Sequence, residues 1–408
     1  MKFIHTADLH LGKIFHECSL AEDQRYMLDQ LAAILEDASY RALLISGDVY
    51  DRAIPQAEAV GLFSDFLGEL KRRRPDLTVL ILPGNHDSAS RLGFGRDLFS
   101  ALGIHFITDP EDAVKPVPVA GNEERCAFFL LPFLNPGSLR EPAEKPTGEP
   151  AEESAGEPAG EPVRSQAALA EVAAARLEKA RMSALAGGAD YAVLGAHLFT
   201  SGGVESGSER VFLGTAERVR ADLFKGFDYV GLGHLHRAQQ AGKNAWYAGS
   251  PLAYSFDEGK YEKVFLSVEL KKSGAEVTPL PVIPQKKLRS LRGSFRYFFE
   301  NKDDPVLAEA AKDYLEIILT GEELTENPLA LLRPRFPFIL SIKQEAAQAV
   351  LAQAAFQSKL EAEGGIGQDF RDFLSGLYGA DTAAGDEAEK IRLFQELLRE
   401  IEGAENDL

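Results

Sequence analysis

Cysteine is nearly missing from the 408 residues: Cys18 and Cys126 are the only two. That is too few for a disulfide framework or a thiolate cage, so a bound metal would have to rest on His, Asp, Glu, Asn or backbone oxygen. Long apolar stretches are missing as well. The longest, Cys126 to Leu131, is far short of the roughly 20 residues of a membrane-spanning helix. The opening MKFIHTADLH lacks the charge, apolar stretch and small-residue cleavage site of a secretion signal, which predicts a cytoplasmic protein with no membrane attachment. The phosphate-loop pattern G-x-x-x-x-G-K-[ST] is absent, so no nucleotide site of that kind is expected and any ATP dependence must come from a partner.

Positive charge is also scarce. A net charge of -19 argues at first against a nucleic-acid partner, because phosphates need a positive surface. The acidity is localised, however. Residues 141 to 162 carry seven Glu against one Lys, and residues 361 to 408 carry thirteen acidic against four basic residues, leaving only -4 on the other 338. The charge of the body therefore excludes little. With 45% hydrophobic and 26% charged residues, the chain has enough apolar material for two or three domains.

Three β-type runs (Lys2 to Ala7, Ala42 to Ser46, Thr78 to Leu82) alternate with two helical patterns, one placing Met27, Leu31, Ile34, Leu35 and Ala38 on a face, the other Phe63, Phe66, Leu67 and Leu70. Alternating strands and helices predict parallel strands with crossover helices, an α/β architecture. Further apolar runs at 126 to 131, 190 to 194, 227 to 232 and 264 to 270 extend that sheet or form a second one packed on it. Between them, Arg140 to Ser165 repeats a Gly-Glu-Pro-Ala theme with Val163 as its one branched aliphatic residue, which predicts a disordered surface insertion. After Pro284 a basic stretch, a strand at Tyr314 to Leu319, a short helix at Pro328 to Leu332 and a strand at Phe336 to Ile342 suggest a small α+β unit. Two amphipathic helical patterns follow, Phe370 to Leu377 and Ile391 to Ile401, each too short to be stable alone. The expected domains are residues 1 to 283, 284 to 345 and a helical segment 346 to 408.

Five polar motifs each end an apolar run: Asp8-Leu9-His10, Gly47-Asp48, Gly84-Asn85-His86-Asp87, Gly195-Ala196-His197 and Gly233-His234-Leu235-His236. In open α/β sheets ligands bind outside the carboxyl ends of strands, so five such ends are expected to converge. Any one motif alone would more often be a turn or a satisfied surface histidine. Together Asp8, His10, Asp48, Asn85, His197, His234 and His236 offer more donors than one ion needs. They suit two hard-to-borderline cations such as Mn²⁺ sharing a carboxylate, the arrangement used for in-line phosphoryl displacement. Asp51 and Asp87 are candidates for orienting these groups, or for helix N-caps. His5, His16 and His105 lie outside the pattern and are expected to do ordinary packing or surface duty.

In this order DLH, GDVYD, GNHD, GAH and GLGHLH resemble the calcineurin-like metallophosphoesterase superfamily. The stretches HTADLHLGK, GDVYDRAIP and LPGNHDS resemble, within it, the SbcD family of nuclease subunits of double-strand-break repair. The resemblance implies a sandwich of β-sheets flanked by helices, with a small α+β capping domain and a helical tail. It implies one Mn²⁺ on Asp8, His10, Asp48 and His236, a second on Asp48, Asn85, His197 and His234, and His86 facing the scissile phosphate rather than ligating. It further implies DNA ends and hairpins as substrates, a homodimer, and an SbcC-type coiled-coil ATPase docked on the C-terminal helices of a nucleoid-associated heterotetramer.

Lys286, Lys287, Arg289, Arg292 and Arg296, interleaved with Phe295, Tyr297 and Phe298, are candidate DNA contacts; a solvated linker would look the same. Lys71 to Arg74 reads instead as the cationic end of a helix. The favoured function is an ATP-stimulated, Mn²⁺-dependent exonuclease and hairpin endonuclease. The alternatives are a phosphoesterase of small nucleotides or phosphoproteins, and a non-catalytic scaffold for the ATPase.

Overall fold

The computed structural model describes residues 1–121, 123–140, 162–201, 219–301, 303–321 and 324–345. Strands β1 (Lys2–Thr6), β2 (Tyr40–Ser46), β3 (Thr78–Leu82) and β4 (Ile104–Phe106) pair in parallel. The crossovers between β1, β2 and β3 carry helices α1 (Ala21–Ile34) and α2 (Ala57–Arg73). Alternation along β2 sorts its side chains. Leu43 and Ile45 pack with Met27, Leu31, Phe63 and Leu70 of the helices, while Ala42 and Leu44 face a second sheet.

That second sheet comprises β5 (Val117–Ala120), β6 (Arg125–Leu131), β7 (Tyr191–His197), β8 (Tyr229–Gly233), β9 (Gln239–Gln240) and β10 (Ala245–Tyr247), in the order β9-β10-β8-β7-β6-β5. Helix α3 (Gln166–Ala186) covers its outer face through Leu169, Ala170, Ala173 and Leu177. The chain then returns to the first sheet with β11 (Val264–Lys271), antiparallel to β1, and β12 (Gly274–Pro281), giving the order β12-β11-β1-β2-β3-β4. Of the four later apolar runs, three thus build the second sheet and one joins the first. Phe3, Leu44, Leu80, Phe128, Val193 and Leu266 fill the space between the sheets, in a helix, sheet, sheet, helix layering.

Beyond Pro284 come β13 (Leu288–Gly293), α4 (Phe295–Glu300), α5 (Pro305–Ala310), β14 (Tyr314–Leu319), α6 (Pro328–Leu332) and β15 (Ile339–Gln344), with the sheet order β13-β14-β15. By compactness the described residues divide into one unit within Met1–Ser290, Asp303–Glu316 and Arg333–Ser341, and a second of residues 291–301, 317–321, 324–332 and 342–345. The helical patterns at 370 to 377 and 391 to 401, and residues 141 to 161 of the insertion, lie outside the described residues. At the edges of that insertion Arg140 and Pro162 meet in an antiparallel bridge, and Val163 is buried. No helix among the described residues is long and apolar enough to cross a membrane.

Two local expectations need correcting. Ala38 is exposed and does not extend the face of α1, because the Asp37 carboxylate accepts from Ser39 N at 2.8 Å and closes a turn. Phe336 is buried but precedes its strand, which starts at Ile339; Pro337 has no N–H to give to a ladder.

Candidate metal centre

The five motifs occupy the carboxyl ends of β1, β2, β3, β7 and β8, and the backbone joins them. Asp8 N donates to Gly47 O at 3.0 Å, His10 N to Asp48 O at 3.0 Å, and His234 N to the Asp8 carboxylate at 3.0 Å. Closeness of this degree leaves no room for side chains. A Cβ on Gly233 would fall 1.8 Å from Ser46 O, and one on Gly84 would fall 2.1 Å from Asp48 Oδ1. Gly47 has φ +91°, and a Cβ there would also meet His197 Nδ1 at 2.2 Å. Among the described residues, four of the seven non-glycine positions with positive φ are Asp8, His10, Asp48 and His234. Strained backbone of this kind costs about 1–3 kcal/mol per residue and concentrates where function demands a particular aim.

All seven predicted donors come together. Ligating atoms of Asp8, His10 and His236 lie within 4.8 Å of one another, as do those of Asp8, Asp48 and His197, and those of His10, Asp48 and His86. Asp48 thus faces both halves: its Oδ2 is 3.7 Å from His10 Nε2 and 3.6 Å from His197 Nε2. Asn85 Oδ1 lies 3.0 Å from both His197 Nε2 and His234 Nδ1.

Hydrogen bonds behind the rings decide which nitrogens carry lone pairs. His197 Nδ1–H donates to the Ser46 carbonyl at 2.9 Å, so in the neutral ring Nε2 is an acceptor, and it faces another acceptor, Asn85 Oδ1. His236 Nδ1–H donates to Glu258 Oε1 at 3.1 Å, which turns a second lone pair, on Nε2, toward His10 Nε2 at 3.1 Å. An acceptor facing an acceptor, as His197 Nε2 faces Asn85 Oδ1, is stabilised by a cation between them, and the donor set of imidazole, carboxylate and amide oxygen fits a divalent one. Electrostatics agree. Burial holds His10 down at about 4 and His234 at about 3, and lowers His197, so these rings are neutral at neutral pH. Burial pushes the Asp48 carboxyl up, but the charge that His197, His10 and His86 carry when protonated, with the hydrogen bond from His86 N, outweighs it and holds Asp48 below the ordinary carboxylate range.

A supporting layer positions these groups. Glu258 is 1% exposed and accepts from Lys263 Nζ at 2.6 Å as well as from His236. Burial alone would raise its pKa, yet Lys263 and His236 hold it well below the ordinary range. No motif surrounds Glu258 in the sequence, and it reaches His236 only through the fold. Asp51 accepts from Lys13 Nζ at 2.8 Å and lies 3.6 Å from His10 Nδ1. Asp87 accepts from Gly84 N, Val49 N and Tyr50 N at 2.9–3.0 Å, tying two motif loops together. Burial and the neighbouring Asp48 lift it to about 7. Neither is a helix cap.

His86 is half-buried at the edge of the cluster. Its Nδ1–H donates to the Asp51 carbonyl at 2.9 Å and its backbone N to Asp48 Oδ1 at 2.9 Å. His5 bridges the sheets, hydrogen-bonded to Tyr229 OH at 2.9 Å and Ser46 Oγ at 3.1 Å. His16 is exposed, and His105 lies on β4 near Ser100.

Among the five basic candidates, Lys286 and the three arginines have partners of their own. Lys286 Nζ sits 5.5 Å from the Tyr314 ring centroid and 5.1 Å from that of Phe338; Lys287 is exposed. Arg289 pairs with Glu309 and Asp313 at 2.8 and 2.6 Å, Arg292 with Glu345 at 2.7 Å, and Arg296 with Glu300 at 2.7 Å. Carboxylates thus already occupy the three arginines. Lys71 donates to the carbonyls of Pro75 and Leu77 beyond the end of α2, a structural use.

Residues 1–238 match the family model described as calcineurin-like phosphoesterase. The chain is 29% identical over 347 residues to the SbcD component of nuclease SbcCD from Staphylococcus saprophyticus, covering 85% of each. It is 29% identical over 345 residues to the same component from Staphylococcus epidermidis, covering 84% of this chain and 85% of the relative. Among solved structures, a dimetal phosphatase from Danio rerio aligns with 13% identity and a TM-score of 0.41, covering 69% of this chain and 99% of the other.

Proposed function

Because the chain belongs to the calcineurin-like phosphoesterases, we propose that it is the nuclease subunit of an SbcCD-type complex, hydrolysing DNA phosphodiester bonds with two divalent cations, Mn²⁺ by preference. The observation that carries this reading is the acceptor facing an acceptor at the centre of the cluster, His197 Nε2 to Asn85 Oδ1, beside the carboxylates of Asp8 and Asp48. Asp8, His10, Asp48 and His236 would hold one cation, and Asp48, Asn85, His197 and His234 the other, with Asp48 shared. Such a pair supplies Lewis acidity to the scissile phosphate and a water that ionises near neutral pH.

The remaining work falls to this chain's own groups. Glu258 and Ser46 O hold His236 and His197 in the tautomers that present Nε2. His86, held through Nδ1–H by Asp51 O, would in its doubly protonated form present Nε2–H to the phosphate, stabilising charge there or giving that proton to the leaving oxygen. Residues 284 to 345 act as a cap over DNA. Lys286 and Lys287 contact phosphates directly, while Arg289, Arg292 and Arg296 must first exchange a carboxylate for a phosphate. Residues 346 to 408 dock the ATPase, and two copies of the chain complete an ATP-stimulated double-strand exonuclease and hairpin endonuclease.

The test is cleavage of a hairpin-capped duplex with Mn²⁺ by the wild type and His86→Ala, each with and without the ATPase partner. Cleavage by the wild type, lost by at least about 100-fold in the variant while both bind two metals, supports the reading. Hydrolysis of small phosphodiesters without DNA cleavage moves the assignment to a small-substrate phosphoesterase, and metal binding with no hydrolysis of either moves it to a scaffold.

A further inference from the structure

Helix α1 opens with a polar side chain that none of the five motifs accounts for. Gln24 is 0% exposed, and an amide so deeply buried needs partners for its donors and its acceptor. It finds them on the loop that follows β1. Its Oε1 accepts from Gly12 N at 2.9 Å and its Nε2 donates to His10 O at 2.7 Å, with Leu9 O at 3.4 Å and Tyr254 OH at 3.3 Å left for the second Nε2 hydrogen. Tyr254 OH in turn donates to Leu9 O. Because Gly12 N can only donate and His10 O can only accept, the backbone itself fixes which end of the amide faces which.

This loop needs holding. Asp8, His10 and Gly12 have φ of +53°, +43° and +84°, a region that residues other than glycine keep only where the surrounding structure enforces it. His10 N is tied to Asp48 O, and Gln24 ties the carbonyl on the other side of the same Cα. With both flanking peptides held, the direction of the Cα–Cβ bond is held too. The His10 ring lacks the anchor its neighbours have. His197 and His236 are aimed through Nδ1–H, by Ser46 O and Glu258, whereas His10 Nδ1 has no hydrogen-bond partner and Asp51 Oδ1 stands 3.6 Å away. His10 is therefore aimed from its backbone.

We propose that Gln24 is a positioning residue: by holding the His10 carbonyl and the Gly12 N–H, it aims the His10 imidazole at the cation that Asp8, His10, Asp48 and His236 would share. The inference rests on the two-cation reading above. It adds that the two cation positions lean on different supports, since the Gln24 side chain bonds to none of Asn85, His197 and His234.

The experiment is titration of the metal-free full chain with Mn²⁺, read by the EPR signal of the free ion, with a urea midpoint for each variant. The wild type is expected to bind two equivalents. Gln24→Met, which keeps the length of the side chain and loses both hydrogen bonds, should weaken one equivalent by about tenfold or more and the other by less than about threefold. Gln24→Asn is too short to span Gly12 N and His10 O; it should do the same, and it keeps a polar group at the position if the Met variant does not fold. Leu31→Ala, a truncation of a buried residue two turns further along α1, is the stability control and should lower the urea midpoint while leaving both equivalents as in the wild type. Unchanged binding in both Gln24 variants, equal weakening of the two equivalents, or a like loss in Leu31→Ala overturns the proposal. The expected pattern without any cleavage of DNA removes the nuclease reading and leaves the role of Gln24 standing. A wild type that binds fewer than two equivalents removes both the two-cation reading and this role.

Discussion

At the scale of the residue, the orientation of each ring matters as much as its presence. Removing the carboxylate behind His236 without changing its shape, as in Glu258→Gln, should weaken the site's affinity for Mn²⁺ by about 10–100-fold. Competitive metal titration measures this, and unchanged affinity would show that Glu258 serves only Lys263. His5 makes a separate prediction, because it is buried but outside the metal cluster. Its pKa is lowered by burial to about 3, so the folded protein refuses a proton that the unfolded chain takes up near the ordinary histidine value. The unfolded state therefore binds more protons between those two values, and stability falls as the pH drops through that window, by at most about 1.4 kcal/mol per pH unit. Denaturant unfolding of metal-free protein from about pH 7.5 to about pH 5 should show a shallower decline for His5→Gln than for the wild type; parallel declines would mean that His5 does not titrate this way.

At the scale of the element, close approach of strand ends is the controlling constraint. Gly233→Ala would drive a Cβ into the Ser46 carbonyl, a backbone atom that cannot rotate aside. A loss of more than about 3 kcal/mol is expected, because β8 and β2 must separate. Gly61→Ala is the control. Gly61 is exposed within α2 with nothing within 4 Å of a new Cβ, and the substitution should stabilise by about 0.5–1 kcal/mol. Urea midpoints of the two variants measure both effects. Helix α3 shows what periodicity misses. Its sequence is dominated by alanine, which packs at Ala170 and Ala173 as closely as leucine does elsewhere, so buried and exposed faces differ little in hydrophobicity. Ser165, accepting from Ala168 N at 3.1 Å, was the local signal available for its start.

At the scale of the whole molecule, the chain leaves the body at Arg140 and returns beside it at Pro162. Replacing residues 141 to 161 with a short Gly/Ser linker should therefore change the melting temperature by no more than a few degrees and leave phosphodiester hydrolysis intact, because loop-closure entropy varies slowly with length. A large loss in either, measured by thermal unfolding and by turnover, would show that the segment supports the body. Much was determined by sequence alone: the α/β class, the boundaries of β3, β14 and α6, and the five motifs whose side chains the fold assembles. Those features are local, since strand and helix periods and the residues that end them are written within a few positions of each other. Tertiary structure alone decided the split of later strands between two sheets, the pairing of three arginines with carboxylates, the partnership of Glu258 with His236, and the burial of Asp23 against Tyr314. Each joins groups distant in the chain or depends on which face is covered, and neither relation leaves a pattern in neighbouring residues.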